Sequence, residues 1–117
     1  MDTIKNVLET FVETSEAMGA LVVGRDGLVL SRTEGLGGGV DAIGAIASNA
    51  LKMPEALAEQ LDAGKVVQVA IQLEQGLVAL EFLSDDYFLV IVAGADANLG
   101  MIRYAAKRHK TELAELL

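Results

Sequence analysis

Residues 90–108 read Val-Ile-Val-Ala-Gly-Ala-Asp-Ala-Asn-Leu-Gly-Met-Ile-Arg-Tyr-Ala-Ala-Lys-Arg. An apolar strand runs into Gly94, a short turn spans Asp96 to Gly100, and a helix starts at once. Asp96 or Asn98 offers an oxygen to the first free backbone N–H groups of that helix. Gly100 is expected to let the first turn pack closely. The strand before the turn, 87–93, is apolar throughout, which predicts a central position covered on both faces.

Working outward, the 117-residue length fits one domain, 1–117. Hydrophobic residues make up 52% and aromatic ones only 4%, so the core is aliphatic. The longest apolar runs are strand-sized and fall short of the roughly 18–20 residues needed to cross a bilayer. The start, Met-Asp-Thr-Ile-Lys, lacks the charged-then-apolar layout of a signal peptide. With no cysteine, disulfides, thiol catalysis and zinc–thiolate sites are excluded. These features suit a cytoplasmic protein. A net charge of −8 argues against nonspecific nucleic-acid binding, which needs phosphate neutralisation. It fits a soluble protein with a protein partner, or acidity that serves solubility alone.

Ile4, Val7, Leu8, Phe11 and Val12 recur at helical spacing and predict one amphipathic helix, ended by Gly19. Residues 20–24 and 28–31 are apolar strands around Arg25-Asp26-Gly27, a hairpin signal because glycine takes the positive φ of the turn. Gly35-Leu-Gly-Gly-Gly39 is a flexible loop. Residues 40–62 then predict a long helix, with Ile43, Ile46, Ala47, Ala50, Leu51, Leu57 and Leu61 on its main apolar side. Pro54 predicts a kink or break near Met53. Three strands follow Gly64. In the first, residues 66–73, Val67, Val69, Ile71 and Leu73 face one way and Gln68 and Gln72 the other, as in a half-exposed strand at an edge or interface. Turns at 74–76 and 84–86 lead to strands 77–83 and 87–93. The closing helix, about 98–116, carries Leu99, Ile102, Ala106, Leu113 and Leu116 inward. The order α-β-β-α-β-β-β-α defines an α+β sandwich of one five-stranded sheet, mostly antiparallel, and three helices.

The candidate chemical sites are weak. The glycine loop lacks Gly-Lys-Ser/Thr and follows a hairpin instead of opening a βαβ unit, so it reads as a connector and not as a phosphate cradle. His109, the single histidine, has no partnering Ser, Cys or metal-spaced ligand and reads as a boundary residue of the last helix. Asp85-Asp86 is a turn, and Glu55, Glu59 and Asp62 form a solvated helix face. No catalytic, cofactor or metal residues emerge. Arg103, Lys107, Arg108 and Lys110 form either a docking patch for an acidic partner or a solvated face balanced by Glu112 and Glu115. Without bulky apolar partners they do not make a membrane-surface helix.

The long helix carries the better interaction site. Opposite its large aliphatic side lie Ala42, Ala45 and Ala56, with Asn49 and Met53 between. Small residues let another helix approach closely, and a two-sided helix in so small a chain cannot bury both faces internally. A symmetric dimer buries the second face.

Taken together, Gly19-Ala-Leu-Val-Val-Gly-Arg-Asp-Gly-Leu-Val-Leu-Ser31, the alanine-rich helix with Ala47, Ala50 and Leu51, the three strands, and Ala95-Asp-Ala-Asn-Leu-Gly-Met-Ile-Arg103 make the chain resemble the Roadblock/LC7 family of dynein light-chain-like and small-GTPase-regulator modules. The resemblance runs from about Ile4 to Arg108. It implies a profilin-like fold, a five-stranded antiparallel sheet flanked by helices on both faces. It also implies pairing of two copies, with the edge strand (Val66, Gln68, Ala70, Gln72) joining its mate and the second helices packed together. It implies no chemistry of the domain's own and no cofactor. The expected partners are a second copy and a small Ras-like GTPase, which the module binds, activates or scaffolds. Arg25, Arg32 and Arg103 are the arginines available as fingers for such activation. A light-chain-like adaptor indifferent to nucleotide state is the alternative, and a small-molecule sensor a third.

Overall fold

The computed structural model describes residues 3–117; Met1 and Asp2, at the head of the N-terminal stretch considered above, lie outside the described residues. The element order is α1 (Ile4–Ser15), β1 (Gly19–Gly24), β2 (Val29–Arg32), α2 (Val40–Ala50), α3 (Lys52–Gln60), β3 (Gln68–Leu73), β4 (Gly76–Phe82), β5 (Tyr87–Ala93) and α4 (Leu99–Glu115). The strands form one sheet in the order β2-β1-β5-β4-β3, and every neighbouring pair is antiparallel. The α+β, profilin-like arrangement expected from the sequence is therefore present.

The central strand is β5, flanked by β1 and β4, and its apolar run is buried on both faces. Alternation along the strands splits the core in two. Ala20, Val22, Leu77, Ala79, Leu89, Ile91 and Ala93 face α1 and α4, meeting Val7, Leu8, Phe11, Ile102, Ala106 and Leu113. Leu21, Val23, Leu80, Phe88 and Val90 face α2, meeting Val40, Ala47 and Leu51.

Local chemistry sets the boundaries. Thr3 caps α1 by accepting from the Asn6 amide at 3.2 Å. The helix ends at Glu16 in the left-handed region, so Gly19 opens β1 and does not terminate α1. The Asp26-Gly27 turn forms as expected, with Gly27 at φ 88° and the Asp26 carboxylate accepting from the Leu28 amide at 3.0 Å. Asn98 caps α4, accepting from the Met101 amide at 3.1 Å.

The break expected near Met53 is present and falls at Leu51, two residues earlier, so that Pro54 lies in the first turn of α3, where its missing N–H costs least. One expectation fails. Gly100 is exposed, and a Cβ there would meet only the Asn98 oxygen at 3.3 Å. The glycine that close packing requires is Gly44, where a Cβ would stand 2.7 Å from Val29 Cγ2 and 3.1 Å from the Gly27 carbonyl oxygen. Gly44 lets α2 lie directly on the hairpin.

Candidate functional site: an outer helix stripe, an open strand edge and a cleft

Since α2 packs on β1 and β2, its outer side is bare. Ala42, Ala45, Asn49, Met53 and Ala56, the interface candidates of the second helix, are all exposed. The helical register carries through the break at Leu51, whose backbone stays right-handed, so the five residues form one stripe over α2 and α3. Ile43, Ala47, Ala50 and Leu51 turn toward the core as expected. Ile46, Leu57 and Leu61 do not: they are 68%, 59% and 66% exposed. The inward face of α2 is Val40, Gly44, Ala47 and Leu51, with Ile43 beside it, so Ile46 is turned off that face, while α3 buries none of its residues. The outer stripe is thus more apolar than small-residue spacing alone predicts, since Ile46 and Leu57 border Met53, itself 79% exposed.

The other candidate element is the third strand. β3 lies at the sheet edge, bonded only to β4. Its register pairs Gln68 with Glu81, Ala70 with Ala79 and Gln72 with Leu77, residues on the α1/α4 side of the sheet. Val69 and Ile71 face the α2 side. Ala70 and Gln72 are exposed and Gln68 half-buried; Val66 precedes the strand, which begins at Gln68. On the α2 side nothing among the described residues covers Val67 or Leu73, both more than half exposed.

Between α3 and this end of the sheet lies an open cleft of about 900 Å³. Glu55, Ala58, Glu59 and Asp62 line one wall, and Val66, Val67, Phe82 and Leu83 the other. Arg25 stands at the cleft. Its two terminal nitrogens donate to the Glu55 carboxylate at 3.0 and 2.6 Å, and its Nε donates to the Asp85 carbonyl. Its guanidinium lies 5.0 Å above the Phe82 ring. The hydrogen bond to Glu55 raises the Arg25 pKa, and the same bond holds the Glu55 carboxyl below its ordinary value. Glu55 is therefore not part of a solvated face, and Arg25 is not a free finger. Arg32 is likewise engaged, with Asp41 at 3.0 Å. Lys65 donates to Asp85 at 2.8 Å, which lowers the Asp85 pKa.

The basic cluster of α4 divides. Arg103, Lys107 and Arg108 are exposed, but Lys110 turns toward the sheet, 3.7 Å from the Glu81 carboxylate. Glu81, missed as a candidate, is buried on β4, and burial pushes its pKa up against the opposing pull of Lys110 and Arg103. A lone carboxylate inside the apolar run Leu77–Leu83 was the available signal. His109 packs edge-on against Phe11, ring centroids 6.0 Å apart, as a boundary residue.

A five-stranded antiparallel sheet, closed by α1 and α4 on one face and half-closed by α2 on the other, belongs to the profilin-like class of α+β domains. Acanthamoeba castellanii profilin II shares that fold, with a TM-score of 0.67 over 97% of this chain and 98% of its own at 17% identity. More narrowly, the chain belongs to the Roadblock/LC7 domain family, whose profile matches residues 3–93. Two uncharacterized proteins of Methanocaldococcus jannaschii are each 36% identical to it over 107 residues, covering 90% of this chain and 91% of theirs. It is similar in structure to the gliding protein MglB from Thermus thermophilus at a TM-score of 0.85, and to an MglB with tetrameric arrangement at 0.87. Both are 25% identical to it, and each match covers 94% of this chain and 84% of theirs. No helix among the described residues is long and apolar enough to cross a membrane.

Proposed function

We propose that the chain is a homodimeric, non-catalytic module that binds and regulates a small Ras-like GTPase in the cytoplasm. The observation that carries this reading is the outward stripe Ala42, Ala45, Ile46, Asn49, Met53, Ala56 and Leu57, together with an edge strand, β3, that has open backbone groups. Large apolar side chains at this exposure are characteristic of interfaces, and a two-fold axis allows one stripe to cover its own copy. The open β3 edge gives the same pair a second seam, by sheet continuation. Membership of the Roadblock/LC7 family supplies the partner class, and an MglB of tetrameric arrangement is a related fold that self-assembles.

The test has two parts. Light scattering at micromolar concentration returns twice the mass of 12.3 kDa, and Ala45→Glu lowers it toward the monomer. A stable wild-type monomer refutes the seam. Binding to the Ras-like GTPase of the same genome is then compared in its GTP- and GDP-loaded forms. A preference for one form, with altered hydrolysis or exchange, supports regulation. Equal binding assigns the module to the adaptor class, and no binding refutes the GTPase reading.

A further inference from the structure

The α3 segment is held in place unusually. It contributes no buried residue, it follows a break at Leu51, and beneath it the cleft separates it from the sheet. Apolar packing therefore does not fix its pitch. Among the described residues, one side chain from the body of the fold makes hydrogen bonds and an ion pair to it. Arg25, in the β1–β2 turn, presents both terminal guanidinium nitrogens to Glu55, one turn into α3. Arg25 is itself fixed from three other directions: Phe82 of β4 lies under its guanidinium, the Asp85 carbonyl of the β4–β5 turn accepts from its Nε, and its own carbonyl accepts from the Ser48 hydroxyl of α2.

We infer that Arg25 is a positioning residue for the interaction surface: with Glu55 it forms a latch that sets the pitch of α3, and so places Met53, Ala56 and Leu57 in line with Ala45 and Asn49 of α2. This deepens the reading of the stripe as a dimer seam and rests on it only for its consequence, not for the latch. A planar, two-pronged guanidinium–carboxylate contact fixes direction as well as distance, which a lysine ammonium does not. With the latch open, α3 pivots at Leu51, and half of the stripe leaves the common line.

Hydrogen exchange on the full chain tests this. Glu55→Gln and Arg25→Gln should speed exchange of the α3 amides about fivefold, the scale of a single partly exposed ion pair. In Glu55→Gln the amides of β5 should not change. The double variant should add nothing to Arg25→Gln in α3, because both single changes remove the same contact to that helix. Arg25→Lys should restore only part of the protection, and Glu59→Gln, on the same helix, should leave it at the wild-type level. Where the wild type is a dimer, its dissociation constant should rise by a similar factor in Glu55→Gln. Unchanged α3 exchange in Glu55→Gln overturns the latch. So does an equal rise across β5, since the pair then contributes only to global stability. A wild-type monomer removes the seam but leaves the α3 exchange comparison intact, so the two failures are distinguishable.

Discussion

Glu81 lies 3.7 Å from Lys110, with only 8% of its side chain exposed, on the β4 strand that carries the open edge strand. The ammonium is too distant for a strong hydrogen bond, and desolvation dominates, raising the pKa of the carboxyl. A raised folded-state value means that this group's contribution to stability is present when it is protonated. It is lost as pH rises through the folded value. Glu81→Gln keeps the shape and removes the charge. It should therefore stabilise the protein at pH 7, on the order of 1 kcal/mol. The gain should fade below the ordinary glutamate range, where both chains are neutral. Denaturant unfolding at neutral pH and at about pH 3 measures both values, and an equal difference at the two would contradict the assignment.

Glu55 behaves in the opposite sense. Its hydrogen bond from Arg25 lowers its pKa, so its contribution is present above the ordinary carboxylate range and is lost as pH falls through the lower folded value. The exchange difference between wild type and Glu55→Gln in α3 should hold at neutral pH and shrink on acidification below about pH 4. The pair is partly exposed, so the same difference should also diminish in high salt.

Gly44→Ala tests the contact between α2 and the hairpin. On an isolated helix the change would be favourable by about 1 kcal/mol. Here the new methyl would stand 2.7 Å from Val29 Cγ2 and 3.1 Å from the Gly27 carbonyl oxygen. The backbone oxygen cannot rotate away, so α2 must lift. A net loss of about 1–3 kcal/mol is expected, read from the denaturation midpoint. An unchanged or raised midpoint would show that α2 rides more loosely on β1 and β2.

At the start of α4 the cap and the glycine can be separated. Asn98→Ala removes the oxygen that accepts from the Met101 amide and should cost about 1 kcal/mol, a fall of roughly 4 °C in melting temperature for a domain of this size. Gly100→Ala gains up to about 1 kcal/mol of helix propensity, but its Cβ would stand 3.3 Å from the same Asn98 oxygen that caps the helix, so the two effects oppose each other and the net change should be smaller than that of Asn98→Ala. Thermal unfolding of the two variants side by side checks both; an equal fall in the two would give the glycine a packing role after all.

The sequence is most legible where its signals are local. Asp26-Gly27, the uninterrupted apolar run of β5 and the Asn98 start of α4 each form where their residues predict. The orientation of α2 and α3 is only half legible. Size ranking puts Ile46, Leu57 and Leu61 inward, but an inward face is chosen by the space available. Gly44 sets the helix close to the hairpin, and Val40, Gly44, Ala47 and Leu51 take the inward positions. The Arg25–Glu55 contact spans 30 residues and has no periodic signature. Only the pairing order β2-β1-β5-β4-β3, which brings the hairpin turn beside the β4–β5 turn, creates it.

Met53 offers the most direct challenge to the stripe. It is 79% exposed, so Met53→Glu removes almost nothing from the isolated chain, and its own fold should change by no more than about 0.5 kcal/mol. In a dimer sealed by this stripe the same change places two carboxylates near the two-fold axis, without partners and away from water. The expected result is loss of the dimer with the chain's circular dichroism and dilute-solution melting intact. Ile46→Glu should act alike, and Glu9→Gln, on the opposite layer, should do neither. If Met53→Glu and Ile46→Glu leave the solution mass unchanged, the stripe is not the seam, and the apolar exposure of α2 and α3 belongs to a different partner.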